Sequence, residues 1–141
     1  RVLAITGFLT VAPGREVEFE ALARGRWAET HAREPGVHRY EYLRREQPGT
    51  YLVSMLFDDH DAFIAHQASA HHLDLAGQMR DLIVELQLEY GVPLDGASGR
   101  PDAPAGGPVT DRADAELLAR YAARYPAPAV AWWRGEPTGA S

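Results

Sequence analysis

A chain of 141 residues with 45% hydrophobic and 24% charged residues has the size and composition of one soluble domain with a proper core. A net charge of −6 gives no basic footprint for nucleic acid, and the absence of cysteine excludes disulfides, thiolate zinc sites and a cysteine nucleophile. No run approaches the roughly 18 apolar residues of a membrane span. The opening RVLAITGFLTV alternates like a strand and lacks a signal-peptide cleavage site, so the expected location is cytoplasmic, although a start at a residue other than Met leaves a trimmed leader open.

Val2 to Val11 reads as the first strand, with Leu3, Ile5, Leu9 and Val11 on one face and Ala4, Thr6, Phe8 and Thr10 on the other. Pro13-Gly14 ends it. From Arg15 the period becomes helical: Phe19, Leu22, Ala23, Trp27 and Thr30 form the apolar stripe, while Arg24, Arg26 and the glutamates fall largely elsewhere. Glu34-Pro35-Gly36 stops this helix, because proline disfavours a helical residue before it. Val37–Glu46 and Tyr51–Phe57 then alternate around a reversal at Gln47-Pro48-Gly49, which predicts an antiparallel hairpin. On its first strand His38, Tyr40 and Tyr42 share a face.

Phe57 to His72, FDDHDAFIAHQASAHH, holds four of the six histidines. Asp58 or Asp59 is a cap for a helix on which Ala62, Phe63 and His66 share a face. A break near Ala68-Ser69 follows, with Ser69 as the next cap, and Leu73, Ala76, Met79 and Ile83 continue at helical spacing. Glu85 to Val92 reads as the last strand, with Leu86, Leu88, Tyr90 and Val92 inward.

The order β-α-β-β-α-β predicts an α+β, ferredoxin-like fold over residues 1–94: a four-stranded antiparallel sheet with helices on one face. The other face carries apolar residues and calls for a partner, most simply a second copy. Residues 95–109 read as a Gly/Pro-rich linker, and residues 110–141 as a C-terminal extension with one helix (Thr110 to Tyr125) and a tail containing Trp132 and Trp133.

With Val11-Ala12-Pro13-Gly14, Arg33-Glu34-Pro35-Gly36, Tyr40, Phe57-Asp58-Asp59, Ala62-Phe63-Ile64-Ala65-His66 and Ser69-Ala70-His71 in place, residues 2–94 resemble the antibiotic biosynthesis monooxygenase, or quinol monooxygenase-like, family of the dimeric α+β barrel group. The resemblance implies a homodimer that oxidises a small aromatic substrate, a hydroquinone or a polyketide-like anthrone, with O2 and without metal or flavin. The chain departs from the family pattern at Met55, where many members carry an acid, and at Phe57, where an aromatic residue, often Trp, is usual.

Cofactor-free oxygenation needs a base near neutral pKa and donors for an oxyanion in an apolar pocket. His66 is the expected base, its bland alternative being a core histidine bonded to a carbonyl or to Tyr40. Tyr40 and His71 are the expected supports, and Trp27, His38, Tyr42, Phe57 and Phe63 the expected substrate contacts. His71 and His72 are adjacent, so only one is expected on the pocket face, and the family spacing favours His71. The spacings of His66, His71 and His72 do not match helix-borne metal ligands, so no metal is expected. Arg39 and Arg44 read as exposed strand charges, the alternative being anchors for a substrate carboxylate. A cyclase or isomerase on the same fold, or a non-catalytic ligand-binding protein, remain as alternatives.

Overall fold

A computed structural model describes residues 1–99 and 115–131 of the chain. They belong to two compact units, one of Arg1–Ser98 and one that begins at Gly99. Most of the expected linker, the expected helix start at Thr110 or Asp111, and Trp132 and Trp133 lie outside the described residues.

The first unit is built from β1 (Leu3–Val11), α1 (Glu16–Arg33), β2 (Val37–Arg44), β3 (Thr50–Phe57), α2 (His60–Ala68), α3 (Ala70–Leu82) and β4 (Ile83–Gly91). All three strand pairings are antiparallel, and the order across the sheet is β2-β3-β1-β4. This is the ferredoxin-like α+β arrangement, with the second helix divided in two. The sheet is open. Its long central strands follow from their sequence: β1 and β3 each send every second side chain inward, and Ile5, Leu9 and Val11 meet Tyr51, Val53, Met55 and Phe57 on one buried face. The hairpin reversal is where the sequence puts it. Thr50 N–H donates to the Gln47 carbonyl at 3.1 Å, and Gly49 sits at φ 79, the conformation that position of a Pro-Gly turn requires.

Four differences from the expected elements have local causes. On α1 the buried residues are Phe19, Ala23, Arg26 and Thr30, so Arg26 takes the inward place expected of Trp27, which is 47% exposed. From Phe19 the buried stripe runs to i+7, at Arg26, and not to i+8, at Trp27. On β2 the register against β3 shifts between Val37 and Arg39. That irregularity brings Val37 opposite Phe57 and Tyr40 opposite Met55, and His38 drops out of the face that Tyr40 and Tyr42 share. At the other end Ile83 belongs to β4 and not to α3, because the strand begins directly at the end of the helix, and Val92 lies beyond the strand. Finally, Leu86, Leu88 and Tyr90 do align with Leu9, Gly7 and Ile5 on the helix-facing side, yet Leu86 and Tyr90 stay exposed. β4 is the edge strand and the helices stop short of covering it.

In the second unit the described helix is α4 (Ala115–Arg124), and the ring of its Tyr121 stacks 6.3 Å from that of Tyr125 just beyond it. Among the described residues no helix is long and apolar enough to cross a membrane.

Phe57 and Phe63 are core. Phe57 is 0% exposed and packs edge-on against Phe63 at 5.4 Å and beside His66 at 5.5 Å. Phe57→Ala should therefore cost about 3–5 kcal/mol in denaturant unfolding. A loss below about 1 kcal/mol would place the ring in an adaptable wall and not in this core.

Candidate functional site

The site is made where three chain breaks converge. Pro35 forces Glu34 out of the helix: as C-cap of α1 it is extended (φ −112, ψ 97), although its N–H still donates to the Thr30 carbonyl at 3.0 Å. Opposite it, α2 ends and α3 begins at Ser69. The Ser69 hydroxyl donates to the His66 carbonyl at 2.7 Å and accepts from the His72 N–H at 3.3 Å, serving the end of one helix and the start of the next. The expected break at Ser69 is thus present. It places His66 in the last turn of α2 and His71 and His72 in the first turn of α3, around one centre.

That centre is Glu34. The Nδ1 of His66 donates to the two carboxylate oxygens at 3.0 and 3.1 Å, and the Nε2 of His71 donates to one of them at 2.5 Å. His66 is 1% exposed, and Glu34 and His71 are largely shielded. With a carboxylate at Nδ1, the proton of neutral His66 belongs on that nitrogen and Nε2 keeps its lone pair. Nε2 is then the ring atom that can address a ligand. Burial holds the His66 pKa below its ordinary 6.5, against the opposing pull of Glu34, so the ring is neutral at pH 7.

His66 forms part of the wall of a cavity of about 380 Å³, within the range of small-molecule sites. Tyr40 and Tyr42 from β2, Arg26 from α1, His72 from α3, and Met55, Leu86 and Leu88 from the sheet also line it. The Tyr40 and Tyr42 hydroxyls lie 2.6 Å apart, and the Tyr40 ring is 4.8 Å from that of His66. Burial raises both phenol pKa values, so both are neutral, and one hydroxyl donates to the other, leaving one phenol proton of the pair for a ligand. The open side of the cavity runs along edge strand β4, which is why Val84 and Leu86 are both lining and exposed.

Of the expected site residues, His66, Tyr40 and Tyr42 come together on this wall. His71 does not line the cavity; it stands behind His66 on Glu34, and His72 takes the cavity position instead, its ring 4.9 Å from that of His66. Trp27 packs outside against His31 at 4.9 Å, His38 pairs with Asp58 at the surface, and Phe57 and Phe63 are core behind His66. Arg44 is held by Glu20 at 2.6 and 3.0 Å, and Arg39 is exposed. The sequence reading missed Glu34 and Arg26. Each carried a signal: an acid at the C-terminal end of a helix opposes the helix dipole, and Arg26 sits three residues after Ala23 on the buried stripe.

Glu34, His66 and His71 also present one ligand atom each within 4.8 Å of one another. The spacing argument against a metal concerned histidines alone and did not reach this set, two imidazoles and a carboxylate, which transition metals accept. As built, the three groups satisfy one another by hydrogen bonds.

Comparison with known proteins gives a consistent picture. The sequence model of the family described as antibiotic biosynthesis monooxygenase matches residues 3–78. No curated protein sequence matches the chain. Among solved structures, a Caulobacter crescentus protein provisionally named an antibiotic biosynthesis monooxygenase is 24% identical, with 67% of this chain and 91% of that one covered at a TM-score of 0.64. A protein from Mycobacterium tuberculosis is 22% identical, covering 70% of this chain and 100% of that one at 0.63. A Bacteroides thetaiotaomicron protein with the same provisional name is 20% identical, covering 71% and 97% at 0.65. At these identities the likeness is one of fold.

The histidines predict a pH dependence of stability. Burial, then Arg26, His66 and His71, bring the His72 pKa down to about 3 from an ordinary 6.5. In the unfolded chain the ring binds a proton below 6.5 and in the fold it does not, so its contribution is intact above pH 6.5 and lost progressively as pH falls toward about 3. His66, also held low, adds with the same sign. The thermal midpoint should fall between about pH 7 and pH 5, and fall less in His72→Leu; a wild-type midpoint flat across that window would contradict the assignment.

Proposed function

The chain belongs to the antibiotic biosynthesis monooxygenase family, and from that premise we propose that it oxidises an electron-rich aromatic substrate, a polyketide-like anthrone or a quinol, with O2 and without a cofactor. The observation that carries the reading is the Glu34–His66 pair on the wall of a mostly apolar cavity. A neutral imidazole whose Nδ1–H is fixed by a carboxylate presents Nε2 as a base, the same division of labour as in other His–carboxylate pairs.

On an anthrone the step runs as follows. Nε2 of His66 takes one methylene proton, and the resulting carbanion gives one electron to O2. The radical pair joins as a peroxide anion, which takes the proton back from the His66 imidazolium; the remaining C–H proton then leaves as the O–O bond breaks, and water is lost. The methylene becomes a carbonyl, one oxygen atom enters the product and the other leaves as water. Glu34 stabilises the imidazolium formed in the first step, and His71 holds Glu34 in place. One hydroxyl of the Tyr40–Tyr42 pair donates to the other, and the second donates to the substrate oxyanion. Phe57 and Phe63 act by fixing His66, and Trp27 and His38 have no part at the cavity.

Oxygen uptake with a panel of anthrones and hydroquinones tests this directly. Uptake should survive a chelator and fall at least ~100-fold in His66→Ala and in Glu34→Gln. Because the working form of His66 is neutral, the rate should fall as pH drops through a value below 6.5. Turnover that continues under nitrogen would replace this reading with isomerase or cyclase chemistry, and loss of activity with chelator would turn the Glu34–His66–His71 cluster into a metal centre.

The reading includes a homodimer. The sheet face away from the helices carries Ala4, Phe8, Leu43, Leu52 and Leu56, and β4 leaves Leu86 and Tyr90 exposed. A second copy would remove this surface from water. Sedimentation at micromolar concentration should give a dimer, and the double substitution Leu52→Glu with Leu56→Glu a monomer. A wild type that sediments only as monomer would contradict it.

A further inference from the structure

We propose that Arg26 makes one wall of the cavity an anion subsite, so that the compound bound there is an aromatic carboxylate. The inference rests on the reading of this cavity as the substrate site, and it adds a charge requirement that the oxygenation chemistry does not itself impose.

Arg26 is 6% exposed and forms part of the cavity wall. The exposed arginines Arg15, Arg24 and Arg33, and Arg44, which is less exposed than they are, each reach a glutamate. Arg26, the buried one, has no carboxylate within 4.0 Å among the described residues. Its Nη2 donates to the His72 carbonyl at 2.8 Å and the guanidinium also hydrogen-bonds Tyr42, while its Nε, also buried, has no hydrogen-bond partner. A guanidinium taken out of water without an anion is costly, and evolution normally supplies the anion from the protein or from a ligand.

The surroundings have the same sense. The buried Nδ1 of His72, another lining residue, also lacks a partner. Arg80 adds a second cation at the exposed rim, and the carboxylate of the lining, Glu85, is exposed on edge strand β4. No buried negative charge among the described lining residues opposes Arg26, since Tyr40 and Tyr42 are neutral phenols. A carboxylate complements a lining guanidinium that no carboxylate of the protein meets among the described residues, and the apolar wall of Met55, Leu86 and Leu88 suits the attached ring system. In this arrangement Arg26 anchors the acid group while the ring lies toward His66.

The test compares 2-naphthoate with its neutral isostere 2-naphthamide by calorimetric titration of the full chain near neutral pH, with no turnover involved. Naphthoate should bind at least about 10-fold more tightly, and Arg26→Gln should bring the two within about 2-fold. In unsubstituted protein, naphthoate but not naphthamide should shift the ¹⁵N resonance of the Arg26 Nε–H, a readout that does not depend on a variant folding. Equal binding of the two probes, absence of binding by both, or an Arg26 resonance unmoved by bound naphthoate would overturn the subsite. Because binding is read without O2, loss of the oxygenase reading leaves this result standing, and an active oxygenase that ignores the carboxylate removes the subsite alone.

Discussion

The hydrogen bond between the Glu34 carboxylate and His66 Nδ1 is the constraint on which the site depends. It joins the end of α1 to the end of α2 across 32 positions of sequence. It fixes the ring so that Nδ1 is spent on the protein and Nε2 is left for the cavity. A buried polar ring without such a partner would be a cost with no return. With it, burial becomes useful: it lowers the basicity of the ring enough to keep it neutral, while the carboxylate prevents the fall from going too far. His71, approaching the same carboxylate from α3, closes the group.

The fold exists around this bond as a set of interruptions. A continuous second helix would carry His66 and His71 away from each other, since five residues is not a whole number of helical turns. The Ser69 break changes the direction of the chain between them. Likewise Glu34 would point along the α1 surface were it not forced into extended backbone by Pro35. The β2 irregularity performs the corresponding adjustment on the sheet side, bringing Tyr40 opposite Met55 and under the His66 ring. Each irregularity is local, and each aims one side chain at the same place.

How much of this was legible in the sequence varies with the range of the interaction. Alternation placed the inward faces of β1 and β3, and turn chemistry placed the reversal at Gln47-Pro48-Gly49, because these depend on neighbours a few residues away. The Ser69 break and the inward turn of His66 were legible for the same reason. Glu34 was read only as part of a stop signal, since nothing near it in sequence shows that its carboxylate will meet two histidines more than thirty positions on. Met55 of β3 is apolar core, and the carboxylate of the site, Glu34, comes from the helix layer. Trp27 and Arg26 were exchanged because a tryptophan looks more like core than an arginine does. The helix geometry places the arginine inward, three residues after Ala23 and four before Thr30.

Glu34 sets the tautomer of His66, and ¹⁵N chemical shifts of the His66 ring at neutral pH read it directly. Nδ1 should bear the proton and Nε2 be bare in the unsubstituted protein, with the preference weakened in Glu34→Gln. A ring protonated on Nε2, with Nδ1 bare, would contradict it.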